Sequence, residues 1–139
     1  MRQFAKMLRL KTRGRGLYEF TRDLVACADE PRFTTGLVTL FCRHTSASLL
    51  IQENAAPEVR DDLQTFFENL APEGPGRYRH DDEGPDDMPA HLRAALTNVS
   101  LTIPILEGRL ALGTWQGVYL FEHRRAANAR EVAVHILGE

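Results

Sequence analysis

The sequence predicts an α+β domain built on a mixed or antiparallel sheet, and three observations lead there. Eight short segments are apolar or alternate apolar with polar residues, as strands do. A smaller number, most clearly residues 57–70, repeat their apolar residues at helical spacing. The two kinds come in runs, β2-α-β2-α-α-β4, without the strict alternation that builds a parallel sheet between helices. A chain of 139 residues suits one domain with a real core and leaves no room for a second, so residues 1–139 are read as that single domain.

Residues 3–10 and 16–20 read as the first two strands. In "TRDLVACA", Thr21 is the expected N-cap, and Leu24, Val25 and Ala28 share a helical face. The runs "GLVTLFC" and "ASLLIQE" read as two more strands, one of them central because it is apolar on both faces. "PEVRDDLQTFFENL" is the clearest helix. Pro57 suits its first turn, and Val59, Leu63, Phe66, Phe67 and Leu70 recur on one face, with Arg60, Asp61, Gln64 and Glu68 opposite and expected in solvent. Residues 71–86, punctuated by Pro72, Gly74, Pro75, Gly76, Gly84 and Pro85, form a long irregular loop, a length that in a small domain usually serves function. A helix over about 88–97 follows. Four strands finish the chain: "SLTIPI", "RLALGTW", "VYLFEH" and "EVAVHIL", the first two joined by a Glu107-Gly108 hairpin turn.

A formal net charge of −2 argues against a general nucleic-acid binder, because phosphate contacts need a clustered positive surface. No apolar stretch is long enough to span a bilayer, and "MRQFAKMLRL" lacks the uninterrupted apolar region of a signal peptide. The expectation is a soluble cytoplasmic protein with no membrane partner. Cys27 and Cys42 stand apart in apolar segments without CxxC spacing and are read as small buried hydrophobes.

Chemistry concentrates in "YRHDDEGPDDMPAHL", residues 78–92, which holds two histidines, five carboxylates, two prolines and a glycine. Asp86 and Asp87 also suit a helix N-terminus in the ordinary way, but Pro85 and Pro89 stiffen the backbone on either side of them. Stiffening argues for positioned carboxylates, and a histidine near a helix N-terminus, His91, favours the neutral form that binds a metal or acts as a base. His44, His80, His91 and His123 all fall at ends or connections of elements, where a sheet can bring them together. His135, mid-strand, is read as structural and facing away from the core. Beside His44 lie the hydroxyls of Thr45, Ser46 and Ser48, at a turn able to hold an anion. A Ser-His nucleophile is disfavoured there, because adjacent strand residues point apart and no nucleophile elbow surrounds them. Trp115, the only tryptophan, suits a core or interface anchor as well as ligand stacking.

The stretches "HTSASLLIQENA", "YRHDDEGPDDMPAHLRAALTNVSLTIPI", "GRLALGTWQGVYLFEHR" and the terminal "LGE" closely resemble the YjbQ family of secondary thiamine-phosphate synthases. One departure is Phe121, where many members of that family carry a cysteine. The resemblance implies an α+β homotrimer whose motif residues surround a metal or anion site. It also implies an activity that joins an aminopyrimidine diphosphate to a thiazole phosphate. On that basis His44, Asp87, Glu122 and Arg124 are the expected catalytic residues, and Ser46, Asn54, Trp115 and Gln116 the ligand-binding ones. His80, His91 and His123 are the expected ligands of a divalent metal, zinc or magnesium. Two other readings stay open: a hydrolase with a three-histidine zinc site, in which Glu122 or Asp87 positions a water, and a non-catalytic protein that binds a small phosphorylated molecule.

Overall fold

The computed structural model describes residues 1–139. In chain order the elements are β1 (Arg2–Thr12), β2 (Gly16–Glu19), α1 (Thr21–Asp29), β3 (Gly36–Cys42), β4 (Ala47–Glu53), α2 (Pro57–Leu70), α3 (Asp87–Leu96), β5 (Ser100–Leu106), β6 (Arg109–Leu110), β7 (Gln116–Glu122) and β8 (Asn128–Gly138). This is the expected α+β order. Every strand pair is antiparallel, and the strands form two sheets, β1-β8-β3-β5-β6 and β2-β7-β4.

The split into two sheets follows from β7. Its residues Val118 to Glu122 are all buried, so the strand needs cover on both faces. Val118 and Leu120 join the core between the sheets, against Val38, Leu40, Ile103, Val132, Val134 and Ile136 of the larger one. The other face of β7 meets the helices: the Phe121 ring stands edge-on to Phe67 of α2 at 5.4 Å, and Arg60 Nη1 of α2 donates to Tyr119 Oη at 3.3 Å. Helix α1 adds Leu24, Cys27 and Ala28 to the core. The layers are therefore five-stranded sheet, three-stranded sheet, then α2 and α3. In contrast, the outer face of the larger sheet, with Leu37, Phe41 and Leu137, carries no helix and stays exposed.

Several expectations need correction. The segment "RLALGTW" is a strand only at Arg109–Leu110; past it the chain turns, with Gln116 Oε1 accepting the Gly113 N–H at 2.8 Å. Thr21 is the first helical residue and Phe20 the N-cap; the Thr21 hydroxyl instead accepts the Val118 N–H at 2.9 Å, tying α1 to β7. Helix α2 is rotated from the expected orientation. Phe66 and Leu70 are exposed, while Arg60 and Gln64 are half-buried: Arg60 reaches the Tyr119 hydroxyl, and Gln64 donates to Glu68 Oε1 one turn on at 2.9 Å. The Glu107-Gly108 turn has φ of 50° and 77°, the double left-handed signature of a tight hairpin. Cys27 and Cys42 are buried and free, and His135 faces outward to Gln3. No helix is long and apolar enough to cross a membrane.

Candidate functional site

Helix α3 and the loop before it build a compact donor cluster. Asp87 is the first residue of α3 and His91 lies one turn on, so both project from one face. Asp87 Oδ2 meets His91 Nε2 at 3.0 Å and His80 Nε2 at 2.8 Å. Glu83 Oε2 lies 3.0 Å from the same His80 nitrogen, and one donor atom each from His80, Glu83, Asp87 and His91 falls within a 4.8 Å span.

The tautomer of His91 is set by its other nitrogen. Nδ1 lies 2.8 Å from the Thr45 carbonyl oxygen, which can only accept, so Nδ1 carries the proton. In the neutral imidazole, Nε2 then presents its lone pair to a carboxylate oxygen. Two acceptors face each other at hydrogen-bond distance, an arrangement that a proton or a cation between them completes. A backbone carbonyl holding the far N–H is also the usual support of a metal-ligating histidine. Two imidazoles and two carboxylates suit a zinc-type ion better than magnesium, which prefers oxygen and water ligands. The donor set fits a divalent metal.

Arg124, just past β7, orients this cluster. Its Nη1 donates to Asp87 Oδ1 at 2.6 Å, Nε to Asp86 Oδ2 at 3.0 Å and Nη2 to the Glu83 carbonyl at 2.9 Å. With Oδ1 of Asp87 occupied, Oδ2 is left for the histidines. Asp86 also accepts the Arg125 N–H at 3.0 Å. Gly84 has φ of 99°, and a Cβ there would sit 3.1 Å from Asp86 Oδ1, so the turn into α3 requires glycine. The charges are mutually supporting. Burial pushes the Asp87 carboxyl upward, but the hydrogen bond from His80 and the charge of Arg124 outweigh it and hold the group below its ordinary range. The hydrogen bond to Asp87 raises His80, and that to Asp86 raises Arg124.

Glu122 and His123, adjacent at the end of β7, point to opposite sides. Glu122 faces the core, fully buried, and binds Arg130 of β8 through contacts of 2.8 Å and 2.5 Å. Thr12 Oγ1 donates to it at 2.7 Å, as do the backbone N–H groups of His123 and Arg124 at 3.0 Å and 3.2 Å. Ser46 Oγ accepts from Arg130 Nη2 at 2.9 Å. Glu122 and Ser46 thus belong to a buried brace that fixes where Arg124 begins. His123 faces α3, where its Nε2 meets Ser48 Oγ at 2.9 Å and Thr97 Oγ1 donates to that hydroxyl at 2.6 Å. His123 therefore stands outside the four-residue cluster. Burial, with help from Arg93 and Arg130, lowers its pKa to about 3.

His44 lies on the other side of His91. Its Nε2 accepts the Glu131 N–H at 2.7 Å, which leaves the proton on Nδ1. Burial and then Arg130 lower its pKa. His44, Thr45, His91, Ala94, Ala95 and Val99 line a cavity of 460 Å³.

Asn54, Trp115 and Gln116 are not brought to this site. They sit at the opposite end of the β4–β7 pair from Glu122, roughly 20 Å away at about 3.3 Å per strand residue. Trp115 is exposed. Glu83, Thr97 and Arg130 were not singled out from the sequence, and Ser48 was read only as a hydroxyl beside His44, whereas it meets His123. Arg130 had a usable signal: it shares the strand parity of Val132, Val134 and Ile136 and so had to face the core.

Comparison with known proteins agrees with this architecture. A family model described as UPF0047 protein YjbQ-like matches residues 6–139. A UPF0047 protein of Synechocystis sp. is 54% identical over 99% of this chain and 94% of its own length. The UPF0047 protein YjbQ of Escherichia coli O157:H7 is 41% identical over 98% of this chain and 99% of its own. Among solved structures, an uncharacterized conserved protein of the YjbQ/UPF0047 family from Clostridium acetobutylicum superposes with a TM-score of 0.87 at 34% identity, covering 95% of this chain and 99% of that one.

Proposed function

Because the chain belongs to the YjbQ-like UPF0047 family, we propose that His80, Asp87 and His91, with Glu83, hold a zinc-type divalent cation. The cation serves the activity that the family resemblance implies, secondary thiamine-phosphate synthesis in the cytoplasm. In that reaction the bond from the aminopyrimidine carbon to the diphosphate oxygen breaks, a bond to the thiazole nitrogen forms, and pyrophosphate leaves. The observation that carries the reading is the one oxygen, Asp87 Oδ2, facing two ring nitrogens at 2.8 Å and 3.0 Å.

A bound cation would supply charge neutralisation for the departing pyrophosphate. The chain's own groups prepare for it. Arg124 turns Asp87 toward the histidines, and the Thr45 carbonyl fixes the His91 tautomer. All three donor nitrogens of Arg124 are engaged within the loop, which makes it a positioning residue and leaves substrate phosphate to the cation. A hydrolase built on the same cluster is the second reading, favoured by two histidines plus a carboxylate, a set found in catalytic zinc sites with an open position.

Elemental analysis of the purified protein should find near one zinc per chain, and His91→Ala should lower cation affinity by at least about tenfold. With both substrates the parent should form thiamine phosphate, and His91→Ala should lose about a hundredfold in rate. A metal-bearing protein that forms no product but cleaves phosphate esters would replace the transferase with the hydrolase. One that returns the phosphorylated substrates unchanged would leave a binding protein. Failure to bind any divalent cation would remove the site.

The resemblance also supports a homotrimer, and we place its contact on the bare outer face of the five-stranded sheet. Leu37, Phe41 and Leu137 are 43%, 49% and 39% exposed there, an apolar surface of the kind that self-association covers. Light scattering should give three times the 15.7 kDa chain mass, and Phe41→Glu should reduce it. A parent that scatters as a monomer would reject the assembly.

A further inference from the structure

Two cavities flank the proposed cation site, and they differ in chemistry. The one on the His80 side is walled by Glu73 and Asp81 among loop residues, carboxylates that repel a phosphorylated molecule. The one on the His91 side is walled by Ala94, Ala95 and Val99 and contains no carboxylate. Its 460 Å³ falls within the range of about 300–1,000 Å³ that holds small ligands.

His91 connects this second cavity to the cluster, since its ring lines the wall while its Nε2 faces Asp87. His44 lines the same cavity. The Glu131 N–H fixes its tautomer, so Nδ1 presents a proton, and that donor has no partner within the chain. Ala94 and Ala95 follow His91 by three and four residues on α3, so their small side chains keep the space beside it open.

We propose that the cavity between His44 and the Ala94–Ala95 side of α3 is the subsite for the organic part of a phosphorylated substrate, taking a small uncharged ring that bears a hydrogen-bond acceptor. The inference rests on the cation-site reading above, since the phosphate is held at the cluster while the ring lies beyond His91. It makes Ala95 and His44 specificity-determining residues. The acceptor on the ring meets His44 Nδ1–H, and the methyl groups of Ala94 and Ala95 bound the ring's face.

The test uses the cobalt-loaded protein, with the visible spectrum of the ion as the readout and phenyl phosphate and inorganic phosphate as probes. The parent should bind phenyl phosphate about tenfold more tightly than inorganic phosphate, the order expected for burying most of one ring. In Ala95→Leu, at an exposed helical position where leucine is well tolerated, the preference should vanish while cobalt and inorganic phosphate bind as before. A parent that does not distinguish the two phosphates, or an Ala95→Leu protein that keeps the preference, overturns the subsite alone. Absence of cobalt binding in the parent overturns the cation site and the subsite with it.

Discussion

Glu122→Ala should destabilise the protein by about 3–5 kcal/mol, the usual cost of stranding one member of a buried ion pair. The parent arrangement satisfies Arg130 completely on that side: both carboxylate oxygens receive its guanidinium, and Thr12 and two backbone N–H groups fill the remaining lone pairs. Truncation leaves a guanidinium that is only 6% exposed facing apolar strands, together with three donors without acceptors. For a domain whose whole stability is on the order of 5–15 kcal/mol, that is a large fraction. Urea unfolding measures it directly. Glu122→Leu combined with Arg130→Met should recover the part of the loss that comes from the stranded charge, as apolar replacement of buried pairs often does, and leave the part owed to the three unpaired donors. An unfolding free energy for Glu122→Ala within about 1 kcal/mol of the parent would mean that water reaches Arg130 and the brace is not closed. The brace also carries a functional consequence, since the Arg124 N–H rests on Glu122 and Arg124 in turn aims Asp87.

This division of labour was only partly legible in the sequence. Alternation and helical spacing located the strands and helices well, because each buries one face and the period records it. The stiffened loop was also legible, since Pro85, Gly84 and Pro89 constrain the backbone whatever lies beyond it. Which chemistry gathers where depends instead on side-chain direction across elements. His123 follows Glu122 directly, yet the strand period sends one to the core and the other to α3. Asp87 and His91 carried a usable signal in their four-residue spacing on one helix. Glu83 did not, because its place in the cluster depends on how a non-repetitive loop folds back. The rotation of α2, with Phe66 outward and Arg60 inward, escaped for a similar reason: Arg60 has a specific partner in Tyr119, and hydropathy alone cannot see a partner.

The buried position of His123 sets the second large effect, a loss of stability in mild acid. In the folded protein the pKa of this side chain is about 3, against an ordinary value of 6.5. Above 6.5 the imidazole is neutral in both states and costs nothing. As pH falls below 6.5 the unfolded chain takes up a proton that the folded chain refuses, so unfolding is favoured by about 1.4 kcal/mol per pH unit until the folded value is reached. Between pH 6.5 and pH 5 the loss is about 2 kcal/mol. The refusal has a local cause. His123 Nδ1 is buried with no partner, so a proton there would be an unsatisfied donor near the charges of Arg93 and Arg130. His80 works in the opposite direction, since its raised pKa lets the folded state bind a proton more readily. Asp86 and Asp87 contribute only further down, where their lowered carboxyls begin to protonate. Comparison with His123→Gln separates these. The amide fills similar space and reaches Ser48 but does not titrate, so the variant starts less stable at neutral pH and then falls less steeply than the parent between pH 6.5 and pH 5. Parallel pH profiles for the two proteins would show that His123 protonates in the folded state at little cost, and that the acid sensitivity belongs to another group such as His44, whose pKa burial also lowers.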